Sequence, residues 1–253
     1  MPQSPTSPRA VADRATRDYE RRQREIAALL RTQGQNPYVE YLPYEHGVWR
    51  TVSAALAPLH RSVGCSEFID GVDALALGCD RIPQLDEVNE KLARLTGFRS
   101  QATTGIARPR AFYRVLAERC FLAAQFVRDA DRPLFSSQPD VLHELIGHAN
   151  ALANPKVADI YEAAGKAFGR LVSDTSVDAF SRVFWFTLEA GVVNEGGQVK
   201  AFGASVLSSV AELSQLEAVE IRAFTNLTEL VEAPYNDGAI QPMLFAFRSF
   251  EHL

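Results

Sequence analysis

Apolar residues recur along this chain mostly at helical spacing. The clearest stripe lies in IPQLDEVNEKLARLTGF (82–98), where Leu85, Val88, Leu92 and Leu95 share one face and Gly97 stands where a C′ glycine closes a helix. The same periodicity predicts helices in RTVSAALAPLHRSVG (50–64), SEFIDGVDALALG (66–78) and AFYRVLAERCFLAAQFVR (111–128), the last as one long apolar-faced helix. NPKVADIYEAAGKAFGRL (154–171) opens with Asn154 as cap and Pro155 in the first turn. VLHELIGHANALA (141–153), started by Pro139-Asp140, and the strongly apolar DAFSRVFWFTLEAGVV (178–193) also read as helices. KAFGASVLSSVAELSQL (200–216) passes from a short strand into a helix.

Polar and breaker-rich stretches separate these elements. Residues 1–9 are rich in Pro and Ser and predict disorder, and 10–33 predict a helix with a solvated, charged face. NPYVEYLPYEHGVW (36–49) is broken by Pro37 and Pro43, and QATTGIARPR (101–110) and DADRPLFSSQPD (129–140) read as loops. The tail, EAPYNDGAIQPMLFAFRSFEHL, has turn residues followed by an apolar, aromatic run. No repeat and no strand–helix alternation is visible, which excludes a doubly wound sheet. The pattern predicts a mainly α fold with a few short β-strands, a single domain over 10–253.

Composition narrows the function classes. A net charge of −5 over 253 residues argues against a nucleic-acid surface. No apolar run is long enough for a bilayer span, and the N-terminus lacks a signal core, so the expectation is a cytoplasmic protein. Three cysteines without a CxxC pair predict buried free thiols.

Candidate chemistry centres on HELIGH (143–148). The zinc-protease motif HExxH places its histidines at i and i+4, about 40° apart around a helix, whereas His143 and His148 are at i and i+5, about 140° apart. They can still converge on one ion if His143 lies at the helix start or the helix is locally distorted, and Gly147 and Pro139 make that feasible. The alternative is a pair of hydrogen-bonded structural histidines. In FWFTLEAG (184–191), Glu189 is a carboxylate in an apolar run, costly unless bound to a metal or paired, and Arg182 is the nearby candidate partner. Two histidines and one carboxylate would make the facial triad of a non-haem iron(II) oxygenase. A zinc hydrolase and a non-catalytic metal-binding protein remain open at this point.

RIPQLDEVNEKLARLTGFR, PDVLHELIGH, FWFTLEAG, VLSSVAEL and IQPMLFAFRSF occur in the order and spacing of the tetrahydropterin-dependent aromatic amino acid hydroxylases. From about His46 to the C-terminus the chain resembles the bare catalytic domain of a small bacterial phenylalanine hydroxylase. The family's regulatory domain and tetramerisation helix have no counterpart, which predicts a monomer. The resemblance implies a monooxygenase using Fe(II), a tetrahydropterin and O2 on a free aromatic amino acid. It further implies iron ligands His143, His148 and Glu189, with Glu144 contacting the pterin through water. Gly105 and Ile106 fall in the pterin loop, and Phe112 at the aromatic that stacks on the pterin. Arg128 corresponds to the partner of the substrate carboxylate, held by Asp140. Ser136 and Pro139 correspond to residues around the substrate backbone, Trp185 to the side-chain pocket, and Ser208 to the serine that orients the first histidine.

The chain departs from the family in Ala190, where Phe is common, in Phe184, where Tyr is frequent, and in Ser205, where Gly is frequent. Ala190 and Ser205 predict a re-aimed ring and 3-hydroxylation of phenylalanine to meta-tyrosine in place of 4-hydroxylation. Asp237 stands at a position acidic in tyrosine hydroxylases, which makes 3-hydroxylation of L-tyrosine the alternative.

Overall fold

A computed structural model describes residues 8–105, 107–136, 138–234 and 240–253, with side chains of the first helix from Tyr19 onward. Four helices come first: α1 (Pro8–Gln33), α2 (Pro43–Val63), α3 (Ser66–Leu75) and α4 (Leu85–Leu95). Glu45 anchors the first pair. Its carboxylate accepts the Leu42 N–H at 2.6 Å and two bonds of 3.0 Å from Arg22 on α1. On α4, Leu85, Val88 and Leu92 are buried as the stripe predicts, and Gly97 has φ +76°. Leu95, at the frayed end of the stripe, is exposed. Among the thiols, Cys65 and Cys120 are buried, but Cys79 is exposed in the loop after α3.

The 111–128 segment corrects the single-helix expectation. It splits into α5 (Pro109–Leu116) and the strand β2 (Cys120–Ala124), with Arg119 in the left-handed region at φ +51° between them. β2 pairs in parallel with β1 (Arg99–Thr103), so part of the expected 101–110 loop is also strand. β2 is largely buried, and its side chains make a continuous apolar run without alternation, which periodicity cannot separate from a helix.

The rest of the chain builds the site. A π-helical segment His143–Ala149 runs into α6 (Asn150–Leu152), followed by α7 (Pro155–Phe168) and α8 (Asp174–Phe184). Asn154 caps α7 as expected, accepting the Lys156 N–H. α8 continues as a second π-helical segment, Trp185–Glu189, which ends in β3 (Val192–Glu195). β4 (Gln198–Ala201), α9 (Ala204–Leu207), α10 (Val210–Ser214), β5 (Glu220–Ala223), α11 (Leu227–Glu232) and β6 (Met243–Phe247) follow. The second sheet has the order β4-β3-β6-β5, and Phe245 on β6 packs against Phe186 of the 185–189 segment. One apolar core runs from Ile26 in α1 to Phe250 near the C-terminus, so the described residues make one mainly α domain. No helix of the described residues is long and apolar enough to cross a membrane.

Candidate metal centre and aromatic cavity

The spacing problem in HELIGH is resolved by the backbone. Residues 143–149 are wound with i→i+5 hydrogen bonds, and the Asn150 N–H reaches the Leu145 carbonyl. That wider winding brings residues five apart to nearly the same side, so His143 and His148 meet edge-on, with ring centroids 4.7 Å apart. Asp140 starts the segment, accepting the His143 N–H at 3.1 Å. Gly147 is required by a close approach: a Cβ there would lie 2.6 Å from the Ala204 carbonyl oxygen, so only glycine lets α9 pack against the wide turn.

Glu189 comes from the second π-helical segment, where the Ala190 N–H bonds the Trp185 carbonyl at 2.7 Å. Its carboxylate faces the histidines, with Oε1 at 3.3 Å from His148 Nε2 and Oε2 at 3.7 Å from His143 Nε2. The two Nε2 atoms are 3.0 Å apart, and one donor atom from each of the three residues falls within 4.8 Å of the others. Arg182, the alternative partner, instead donates to the Ala233 carbonyl.

The electrostatics suit a cation. Burial, reinforced by His148, lowers the His143 pKa to about 4, so its imidazole is neutral, the form that binds metal. Burial would raise the Glu189 pKa, but the facing His148 and His143 hold it below the ordinary carboxylate range. Two imidazoles and a carboxylate are the donor set of a two-histidine, one-carboxylate iron site.

Each histidine is fixed from behind by a hydroxyl. His143 Nδ1 meets Ser208 Oγ at 2.8 Å, the contact expected from sequence. His148 Nδ1 meets the Tyr161 hydroxyl at 2.9 Å, a contact that sequence reasoning missed. Tyr161 sits on an amphipathic helix and carries the pattern of an ordinary core residue, so no sequence signal marks it.

A cavity of about 390 Å³ opens over His143 and Glu189, within the range of small-molecule sites. Phe112, Arg128, Ser136, Pro139, Trp185, Ser205 and Ser208 all line it. Phe112 meets Phe184 edge-on, with ring centroids 5.7 Å apart, in an aromatic cluster that includes Tyr113 and Phe121. The Trp185 indole N–H donates to Gln241 at 3.4 Å.

Arg128 is buried and paired with Asp140 through two side-chain bonds of 2.9 Å, and Asp140 also accepts the Arg128 N–H at 2.8 Å. Burial works against the Asp140 charge, but the Arg128 guanidinium outweighs it and brings the pKa below its ordinary value. Asp140 therefore holds both the arginine and the start of the histidine segment. Glu144 is buried, accepting the Ala124 N–H at 3.1 Å, and burial pushes its pKa well up.

Two of the expected site residues lie away from the cavity. Ala190 is fully buried in the core behind Glu189 and does not line the cavity, so its methyl is not part of the pocket wall. The backbone of Gly203 packs closely on Glu189 and Ala190, where a Cβ on Gly203 would lie 2.3 Å from the Glu189 carbonyl oxygen. Gly105 lines a separate cavity of about 90 Å³ between α1 and the loop after β1. Ile106 and Asp237 lie outside the described residues. Glu212 was overlooked: it lines the main cavity, burial raises its pKa, and it accepts the Gln241 N–H at 3.2 Å. A carboxylate in the apolar run VLSSVAEL was readable by the reasoning that found Glu189.

Comparison with known proteins agrees with this geometry. The family model described as biopterin-dependent aromatic amino acid hydroxylase matches residues 7–253. Phenylalanine 3-hydroxylase of Streptomyces coeruleorubidus is 37% identical over 238 residues, 93% of this chain and 85% of that protein. Tyrosine 3-monooxygenase of Bos taurus is 36% identical over 245 residues, and the chain spans 50% of its length. The crystal structure of Chromobacterium violaceum phenylalanine hydroxylase, with bound iron(III) and 7,8-dihydrobiopterin, superposes with a TM-score of 0.79 at 29% identity. That match covers 84% of this chain and 78% of the other.

Proposed function

This chain belongs to the biopterin-dependent aromatic amino acid hydroxylases, and from that premise we propose that it hydroxylates free L-phenylalanine at the 3-position to give meta-tyrosine. The observation that carries the reading is the convergence of His143, His148 and Glu189 beneath a cavity walled by Arg128 and by aromatic rings. Ferrous iron held by these three residues, with a tetrahydropterin as electron donor, would supply the activation of O2.

The protein's own share is positioning. Arg128, immobilised by Asp140, presents a fixed guanidinium suited to a substrate carboxylate. Trp185 bounds the side-chain pocket, and its indole is tied to Gln241. Phe112 and Phe184 offer an aromatic wall for a flat heterocycle. The apolar lining limits water around the reacting ring.

Regiochemistry belongs to the wall of the cavity. Ser205 lines it, and Ser208 donates to the Ser205 carbonyl at 3.2 Å, so a change at 205 acts next to the group behind His143. The 37% identical Streptomyces relative is named for 3-hydroxylation, which supports the same position on the ring. Ala190 is buried next to Glu189 and does not line the cavity. Product analysis with phenylalanine, tetrahydropterin and Fe(II) tests the reading. Meta-tyrosine is expected from the wild type, and a shift toward para-tyrosine from Ser205→Gly alone or combined with Ala190→Phe. Exclusive para-tyrosine from the wild type overturns it.

A second reading, 3-hydroxylation of L-tyrosine, is favoured by the 36% identity to tyrosine 3-monooxygenase and by Asp237. Relative turnover of phenylalanine and tyrosine by the wild type and Asp237→Val separates the two. An unchanged preference removes Asp237 from the argument.

A further inference from the structure

Two acidic side chains line the main cavity among the described residues, Glu189 and Glu212. Glu189 faces the histidines. Glu212 is bonded differently. It lies in the first turn of α10, where Ser209 caps the helix by accepting the Glu212 N–H at 3.3 Å. A glutamate at this place ordinarily folds its carboxylate back onto the cap. Here Oε1 reaches across 29 residues of sequence and accepts the Gln241 N–H at 3.2 Å.

Gln241 passes the contact on. It is 3% exposed and stands before Pro242 and the start of β6. Pairing of β6 with β5 begins at Met243, so the Gln241 N–H lies outside that ladder and Glu212 is its acceptor. The Gln241 side-chain oxygen in turn accepts the Trp185 indole N–H at 3.4 Å. An indole N–H and a backbone N–H can only donate, so both bonds have a fixed direction, from Trp185 to Gln241 and from Gln241 to Glu212. Trp185 opens the π-helical segment that ends in Glu189, so one short element carries both the indole on the cavity wall and the carboxylate of the metal centre.

We propose that Glu212 is a positioning residue for Trp185, acting through Gln241 to hold the indole at one tilt and so to select which ring carbon of the substrate faces the metal centre. The inference deepens the hydroxylase reading above and rests on it. An indole is a flat, rigid wall, and its tilt sets the shape of the space beside it. Without the Glu212 acceptor, the Gln241 backbone loses its anchor, and the amide that receives the indole N–H is free to shift. Glu212→Gln keeps an acceptor of the same reach, whereas Glu212→Ala removes it.

The test has a spectroscopic and a product arm, both on the full chain. The chain has two tryptophans, so its indole 15N–1H spectrum has two signals, assigned with Trp185→Phe. Trp49, bonded to the Gly78 carbonyl, is the internal control. Glu212→Ala is expected to move the Trp185 signal and not that of Trp49, and Glu212→Gln to move neither. With phenylalanine, Fe(II) and tetrahydropterin, Glu212→Ala is expected to raise the minor hydroxylation product about three- to tenfold relative to the major one, the size of effect that losing one hydrogen bond has on two competing arrangements. Glu212→Gln is expected to restore the wild-type ratio. In a Gln241→Leu background, where this acceptor of the indole is gone, Glu212→Ala is expected to change the ratio no further, because the two residues act as one unit. A purely structural glutamate would lower thermal stability and leave the product ratio unchanged. An unmoved Trp185 signal, an unchanged ratio or additive effects in the double variant overturns the proposal. Absence of any hydroxylated product from the wild type would overturn the hydroxylase reading instead, and the Trp185 signal would still decide whether Glu212 holds the indole.

Discussion

At the residue scale, Arg128 shows how a charge can be buried and still serve a ligand. Its Nε and one Nη bond Asp140 at 2.9 Å each, and the pair is almost fully enclosed. Removing one partner of such a pair typically costs about 3–5 kcal/mol, so Arg128→Ala is expected to destabilise the fold as well as the site. Arg128→Lys keeps the charge and loses the planar fork. Its KM for phenylalanine is expected to rise by about tenfold or more, from the loss of charge-assisted hydrogen bonds worth roughly 1.5–3 kcal/mol, with a smaller change in kcat. Steady-state kinetics checks this, and an unchanged KM would remove Arg128 from substrate binding. From sequence, without the family pattern, Arg128 reads as a surface arginine, because its partner is 12 residues away across a loop.

At the element scale, two π-helical segments carry the three metal-site residues, and neither is visible in hydrophobic periodicity. The sequence does show the symptom, an i+5 histidine pair that an α-helix cannot bring to one side, and the wide turn is its cure. β2 was illegible for a related reason: a strand paired with β1 and buried along its length has no alternation to read. The α4 stripe, the Asn154-Pro155 start and the Gly97 stop were legible because caps and stripes act locally. Long-range contacts supply what was missing. α2 reaches the site through His60, which is buried, with Nε2 2.6 Å from the Leu207 carbonyl, next to Ser208. The carbonyl fixes a proton on Nε2, and burial lowers the His60 pKa. The unfolded chain therefore binds a proton more readily, and this part of the stability is present above the unfolded pKa of about 6.5 and lost as pH falls below it. Urea unfolding between pH 8 and 5.5 is expected to show that loss, with a shallower slope in His60→Gln. Identical slopes would show that His60 does not couple α2 to the Ser208 turn.

At the scale of the whole molecule, one apolar core joins α1 to the C-terminal strand, and the segment that carries Glu189 leads directly into β3 of the second sheet. Elements distant in sequence each deliver one part: the 143–149 turn two histidines, the 185–189 turn a carboxylate, α7 and the Ser208 turn the hydroxyls behind the imidazoles. The fold class and the three metal-site residues could be read from motifs because they are side chains in fixed order. The tyrosine behind His148 and the burial of Ala190 could not, because both depend on packing between elements. The central claim is that these three residues support pterin-dependent hydroxylation of an aromatic amino acid. Oxygen uptake with Fe(II), tetrahydropterin and phenylalanine, followed by product mass, tests it most directly. Uptake coupled to a singly hydroxylated phenylalanine, and lost in Glu189→Ala, is the expected result. Absence of uptake with phenylalanine, tyrosine and tryptophan, or full activity in Glu189→Ala, would contradict it.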